Sequence, residues 1–172
     1  MTDEFTDPDA QYDTIRMFPD YADTVLWFDG PVDYCDTGLT AALVSDLERW
    51  EKSFYESRTD DFEFVSRAAG VAHEEEGLRL AERVSAEVGP RFVITCDSIE
   101  DRYGQVTLRA TSPSENPTAE AAFRRLRQER MAEDMRMAEI LAESDGTITA
   151  YAPLSGATFE LSPRSDHPQN EA

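Results

Sequence analysis

The segment His73-Glu74-Glu75-Glu76 holds the residue types nearest to reactive chemistry, because a helix would set His73 and Glu76 one turn apart, as in half of a metal site. A complete site of that kind draws further ligands from a second histidine or from a Glu-x-x-His segment on another helix. The other histidine, His167, stands near the C-terminus, in a stretch that reads as a tail. The segment is therefore expected to be a solvated acidic helix face, with no metal. Cys35 or Cys96 could act as a nucleophile with His73 as its base, but no motif surrounds either thiol, and Cys96 reads as a small core residue on the apolar face of a strand. The glycines fall into neither P-loop nor dinucleotide-binding spacing, so no phosphate cofactor is expected. No catalytic residue is assigned.

Charge carries more information than these candidates. The chain has 172 residues and a net charge of −20, with Lys52 its single lysine against fifteen arginines. An acidic excess of this size repels nucleic acid and anionic membrane and speeds encounter with basic partners. Abundant Ala, Asp and Glu with arginine as the usual base is also what a GC-rich genome or a salt-adapted cytoplasm produces, so charge alone names no ligand. Its distribution is uneven: residues 1–37 carry ten carboxylates against Arg16 alone. The one basic concentration, Arg124, Arg125, Arg127 and Arg130, is a poor footprint for a phosphate backbone in so acidic a chain and reads as an ion-paired helix surface.

The elements that would position these groups are legible from periodicity and punctuation. Residues 1–11 read as an acidic disordered arm. Strands are expected at Asp13 to Phe18, ended by Pro19, and at Thr24 to Phe28, whose continuous apolar run suggests burial on both faces; Asp29-Gly30-Pro31 then turns the chain. Thr40 fits an N-cap, with Leu39 and Val44 placed for a hydrophobic staple, and Leu43, Leu47, Trp50 and Phe54 follow at helical spacing. A second helix is expected from Arg67 to Val88, with Val71, Leu78, Ala81, Val84 and Val88 on one side and Gly89-Pro90 as its stop. A hairpin follows, Arg91 to Asp97 and Tyr103 to Ala110, with a polar turn at Ser98 to Arg102 and Gly104 as a candidate bulge. Asn116-Pro117 fits an N-cap and first turn of a long helix ending near Ser144, supported by pairs such as Glu120 with Arg124 and Arg125 with Glu129. Thr147 to Ala152 and Ala157 to Leu161 form a last hairpin, and 162–172 a disordered tail.

The order ββααββαββ, without regular βαβ alternation, points to an α+β fold: a mostly antiparallel sheet packed against about three helices, a single domain over 12–161. The length suffices to bury one core. The acidic, polar N-terminus lacks the basic and apolar regions of an export signal, and no apolar run approaches the ~18 residues of a membrane span. A reducing cytoplasm with Cys35 and Cys96 both free is the expected setting.

The stretch Leu26-Trp27-Phe28, Gly30-Pro31-Val32, Thr37-Gly38-Leu39-Thr40, Leu43-Val44, Leu47, Trp50-Glu51, Phe54-Tyr55 and Glu76 to Ala81 resembles a group of small, acidic, uncharacterised actinobacterial proteins. The resemblance covers Val25 to Cys96 and leaves out the long Arg/Met helix and the last hairpin. It implies a structural pattern and no assigned activity or catalytic residues. In size and charge the chain is similar to immunity proteins of bacterial toxin systems. Two readings stand. One is a non-catalytic binding protein of immunity or inhibitor type, docking a carboxylate-rich face on a basic partner such as a toxin or nuclease, with Trp27, Asp29, Asp33, Tyr34 and Asp36 as partner-binding residues; exposure of Trp27, Tyr34, Trp50 or Tyr55 beside the acidic N-terminal third would favour it. A DNA-mimic inhibitor is its narrower form. The other is an enzyme with a carboxylate-lined pocket, marked by convergent Asp or Glu side chains of raised pKa.

Overall fold

The computed structural model describes residues 13–97, 104–143, 148–152 and 157–161; the arm at 1–11, the turn at Ser98 to Arg102 and the tail at 162–172 lie outside the described residues. The elements in chain order are β1 (Thr14–Met17), β2 (Leu26–Trp27), α1 (Tyr34–Thr37), α2 (Ala41–Glu56), α3 (Arg67–Val88), β3 (Val93–Asp97), β4 (Gln105–Leu108), α4 (Pro117–Glu143), β5 (Ile148–Ala152) and β6 (Ala157–Leu161). The chain divides into two compact units, the first ending at Arg127 and the second starting at Gln128.

In the first unit a four-stranded sheet runs in the order β2-β1-β3-β4. Its outer pairings, β1 with β2 and β3 with β4, are antiparallel as expected. The central pair, β1 with β3, is parallel, because α2 and α3 intervene as a long crossover, and parallel neighbours require one. Its register sets Ile15 beside Ile94 and Met17 beside Cys96. All four side chains are buried, Ile15 and Ile94 completely.

The second strand is shorter than its apolar run suggested. The amide of Phe28 donates to the Gly30 carbonyl and that of Val32 to the Leu26 carbonyl, and Trp27 bridges Pro31. The chain thus folds back after two paired residues, with Asp29 in the left-handed region at φ 66°, a conformation Asp tolerates better than most residues. Burial on both faces is also not met: Val25, Leu26 and Phe28 are buried, but Trp27 is half-buried and stacks on Phe18 at 5.0 Å.

The helices start where their caps predict. The Thr40 side chain accepts from the Leu43 amide and the Ser66 side chain from the Ala69 amide, while Asn116 Oδ1 accepts from the amides of Thr118 and Ala119. Each oxygen satisfies donors that a first helical turn leaves unpaired. Leu43, Leu47 and Trp50 are buried. Trp50 lies against α3 at Gly77, where any Cβ would come within 2.5 Å of Trp50 Cζ2, and the indole donates to the His73 carbonyl at 2.9 Å. Phe123 of α4 completes the core with Phe28 and Phe92, ring centroids 5.8 to 6.1 Å apart. The four-residue α1 was not expected from the sequence.

In the second unit β5 and β6 pair antiparallel from Ile148↔Leu161 to Ala152↔Ala157, the expected hairpin. On the α4 residues of that unit, Met135, Met137 and Ile140 are exposed, in keeping with an apolar pattern that is not one-sided.

Candidate functional site

The expected acidic face at His73 to Glu76 is corrected by the structure. The buried stripe of α3 runs from Val88 back through Leu80 and Gly77 to Gly70, and His73 and Glu74 lie on it. His73 stacks on Trp50 at 4.7 Å and packs against Phe54 and Phe64. Arg58 is sandwiched between the same two phenylalanines, its guanidinium carbon 4.1 and 3.8 Å from their centroids, a cation–π arrangement. Burial, and then the Arg58 charge, push the His73 imidazole down to about 4, against a smaller opposing effect of Glu74. His73 is therefore a neutral core residue, and Trp50, on the apolar face it shares with Leu43 and Leu47, is a core residue with it.

The residues singled out for partner binding are brought together only in part. Asp33, Cys35 and Asp36, exposed around α1, bring their side-chain oxygens and sulfur within 4.8 Å of one another. Asp36 also faces Arg125 at 3.9 Å. Asp29 is exposed in the turn after β2. Trp27 is half-buried, its indole donating to the Phe18 carbonyl at 3.2 Å. Tyr34 is half-buried as well: its hydroxyl accepts from the Val25 amide, and burial pushes its phenol up to about 12. Neither cysteine is in a disulfide; Cys35 is exposed and Cys96 buried.

A second acidic group was missed. The turn between β1 and β2 presents Asp20, Tyr21 and Asp23, and α2 presents Glu48, Glu51 and Tyr55 toward it. Tyr21 is 88% exposed, and the Tyr55 hydroxyl donates to the Asp20 carbonyl at 2.7 Å, fastening helix to turn. The Glu51 carboxyl is raised, first by partial burial and then by the charges of Asp23 and Glu48; Tyr55 is raised by burial, then by Glu51 and Asp20. Among the described residues no cation pairs with Asp23, Glu48 or Glu51, whereas Asp46 on the same helix is bound by Arg83 at 2.5 Å and Arg49 at 2.7 Å. The missed signal is helical: Glu48, Glu51 and Tyr55 follow the period of Leu47, Trp50 and Phe54 one residue out of phase. Three arginines of the basic concentration on α4 are ion-paired, Arg124 with Glu120 at 2.5 Å and Arg127 with Asp13 at 2.8 Å, while Arg125, expected to pair with Glu129, faces Asp36.

These elements define a small α+β protein whose mixed sheet and helices display a carboxylate–tyrosine face. The sequence model of the Serratia CdiI immunity protein-like family matches residues 13–99, and the chain belongs to that family. The match takes in β1 to β3 and the whole carboxylate–tyrosine face, and stops before β4. No curated protein and no solved structure matches the chain.

Proposed function

We propose that this chain is a non-catalytic immunity protein that binds a basic toxin, a nuclease being one such partner, and blocks it by docking the carboxylate–tyrosine face of Asp20, Tyr21, Asp23, Glu48, Glu51 and Tyr55. The observation that carries the reading is the Glu51 carboxyl, held among Asp23 and Glu48 with no cation among the described residues. Unbalanced charge of one sign works against the compact state and accelerates capture of the opposite sign. Membership of an immunity family supports a toxin as the partner. Tyr21 and Tyr55 offer large amphipathic surfaces of the kind that dominate interface energetics. Asp29 and Asp33 extend the negative field, Trp27 and Tyr34 stiffen the turn and helix beside it, and Asp36 contributes less because Arg125 already offsets it. Two cysteines outside any disulfide suit a reducing cytoplasm.

The test begins with the reading frames that flank this gene. An adjacent frame with a basic, toxin-like product is expected. That product, purified, should bind this chain with an association rate that falls steeply as salt rises and the Debye length shrinks toward ~8 Å, and should lose its toxicity in the complex. Absence of such a frame, or a product that does not bind, overturns the proposal.

A further inference from the structure

The two edges of the four-stranded sheet are finished differently. At the β2 edge the turn folds back so that Trp27 bridges Pro31, a residue with no amide hydrogen to offer a new strand. At the other edge, β4 pairs with β3 alone among the described residues. An antiparallel edge strand points alternate N–H and C=O groups away from its sheet, a template for one more strand. Thr107 is exposed, and Val106 and Leu108 are half-buried on the face that Cys96 and Ile94 share.

A cleft of about 280 Å³ lies beside this edge, lined by Leu108, Arg109 and Pro113 on one side and Glu82, Ser85 and Ala86 of α3 on the other. Its far end is closed by the Glu115 amide, which donates to the Ala86 carbonyl. The volume falls below the ~300–1,000 Å³ of small-molecule and cofactor sites, and suits one or two side chains. Ser85 is 4% exposed, and its hydroxyl has no hydrogen-bond partner among the described residues, an arrangement that costs free energy until a partner arrives.

We propose that the β4 edge accepts an extended strand of the toxin, whose residue opposite Leu108 seats its side chain in this cleft against Ser85 and Ala86. The registers support the placement: a residue across from Leu108 on an added strand shares its face of the sheet, and Leu108 is both edge residue and cleft wall. Main-chain hydrogen bonds would supply the affinity and the cleft the selectivity. The proposal rests on the immunity reading and adds to the carboxylate–tyrosine face an anchor outside the family-matched residues.

The test uses the full chain and the purified product of the adjacent toxin-like frame. Hydrogen–deuterium exchange of Gln105 to Leu108 is followed with and without that product, and its affinity is measured for wild type and for Ala86→Trp, which fills the cleft; Thr107→Pro serves as a second variant should Ala86→Trp unfold. The expected result is fast exchange in the free chain of those amides that point away from β3, their protection in the complex, and affinity weakened at least tenfold in the variant. Slow exchange of those outward amides in the free chain would show the edge covered by the chain's own residues and overturn the proposal. Tight binding with exchange and variant affinity unchanged would overturn it while leaving the immunity reading intact. Failure of the wild-type chain to bind overturns both.

Discussion

On α2, Asp46 and Glu51 stand five residues apart and their carboxyl groups are driven in opposite directions. Hydrogen bonds from Arg83 and then Arg49 hold Asp46 below the usual carboxylate range; partial burial and then Asp23 and Glu48 hold Glu51 above it. The edge of α2 turned toward α3 has its charges matched within the fold, and the edge turned toward the β1–β2 turn does not. Pairing on the first edge belongs to the architecture, since Arg83 to Asp46 joins two helices. The second edge carries a repulsion that a cationic surface would relieve.

The comparison is best tested from its buried side outward. Leu47 lies between the two edges and is fully buried; Leu47→Ala should lower stability by roughly 2–5 kcal/mol, read as a lower urea midpoint, and an unmoved midpoint would show that α2 is not packed as described. His73 should make the same side sensitive to acid. Its imidazole takes a proton near 4 in the fold but near ~6.5 in the unfolded chain. Acidification across that interval therefore favours unfolding, by up to roughly 2–3 kcal/mol. Urea titrations at pH 7 and pH 4.5 should show the loss, and His73→Phe should flatten it.

The outer edge should behave in the opposite way. Reversing Asp23, Glu48 and Glu51 to Lys should slow association with the proposed basic toxin about tenfold or more at low salt, with a urea midpoint unchanged or raised. Asp46→Asn should lower the melting temperature and leave association alone. If both sets of variants alter association equally, the paired and unpaired edges are not distinct. The smallest effect belongs to Glu51→Gln. A carboxyl raised in the fold binds its proton more tightly there than in the unfolded chain, so stability declines as pH climbs through its titration. The amide removes that decline, and a melting temperature higher by about a degree at pH 7, fading below ~pH 4, is expected by calorimetry.

Much of the fold was legible because its signals are local. Thr40 and Asn116 cap the helices they were expected to cap, Gly89 ends α3, and Cys96 is buried on its strand. Features set by partners distant in sequence were not legible. The parallel pairing of Thr14 with Val93 depends on how a two-helix crossover lands. Burial of His73 depends on Trp50, Phe54 and Phe64 converging on it, which no spacing within His73-Glu74-Glu75-Glu76 announces. The proposed face divided along the same line: Asp20 and Asp23 fall within the acidic first 37 residues, but Glu48 and Glu51 come from α2, which that count did not include.

Glu87 accepts hydrogen bonds from the Thr40 amide, the Thr40 hydroxyl and the Asn116 side chain, so that one carboxylate fastens the start of α2 and the residue capping α4 to the end of α3. Asn116 also donates to the Gly38 carbonyl, and the Gly38 backbone lies so near Thr118 that a Cβ there would meet its carbonyl oxygen at 2.9 Å. The family-matched residues 13–99 thus share a fastening with residues beyond their boundary. A chimera exchanging only the matched stretch with a relative would inherit the carboxylate–tyrosine face without its keystone, and a workable graft has to carry residues 116–123 along with it.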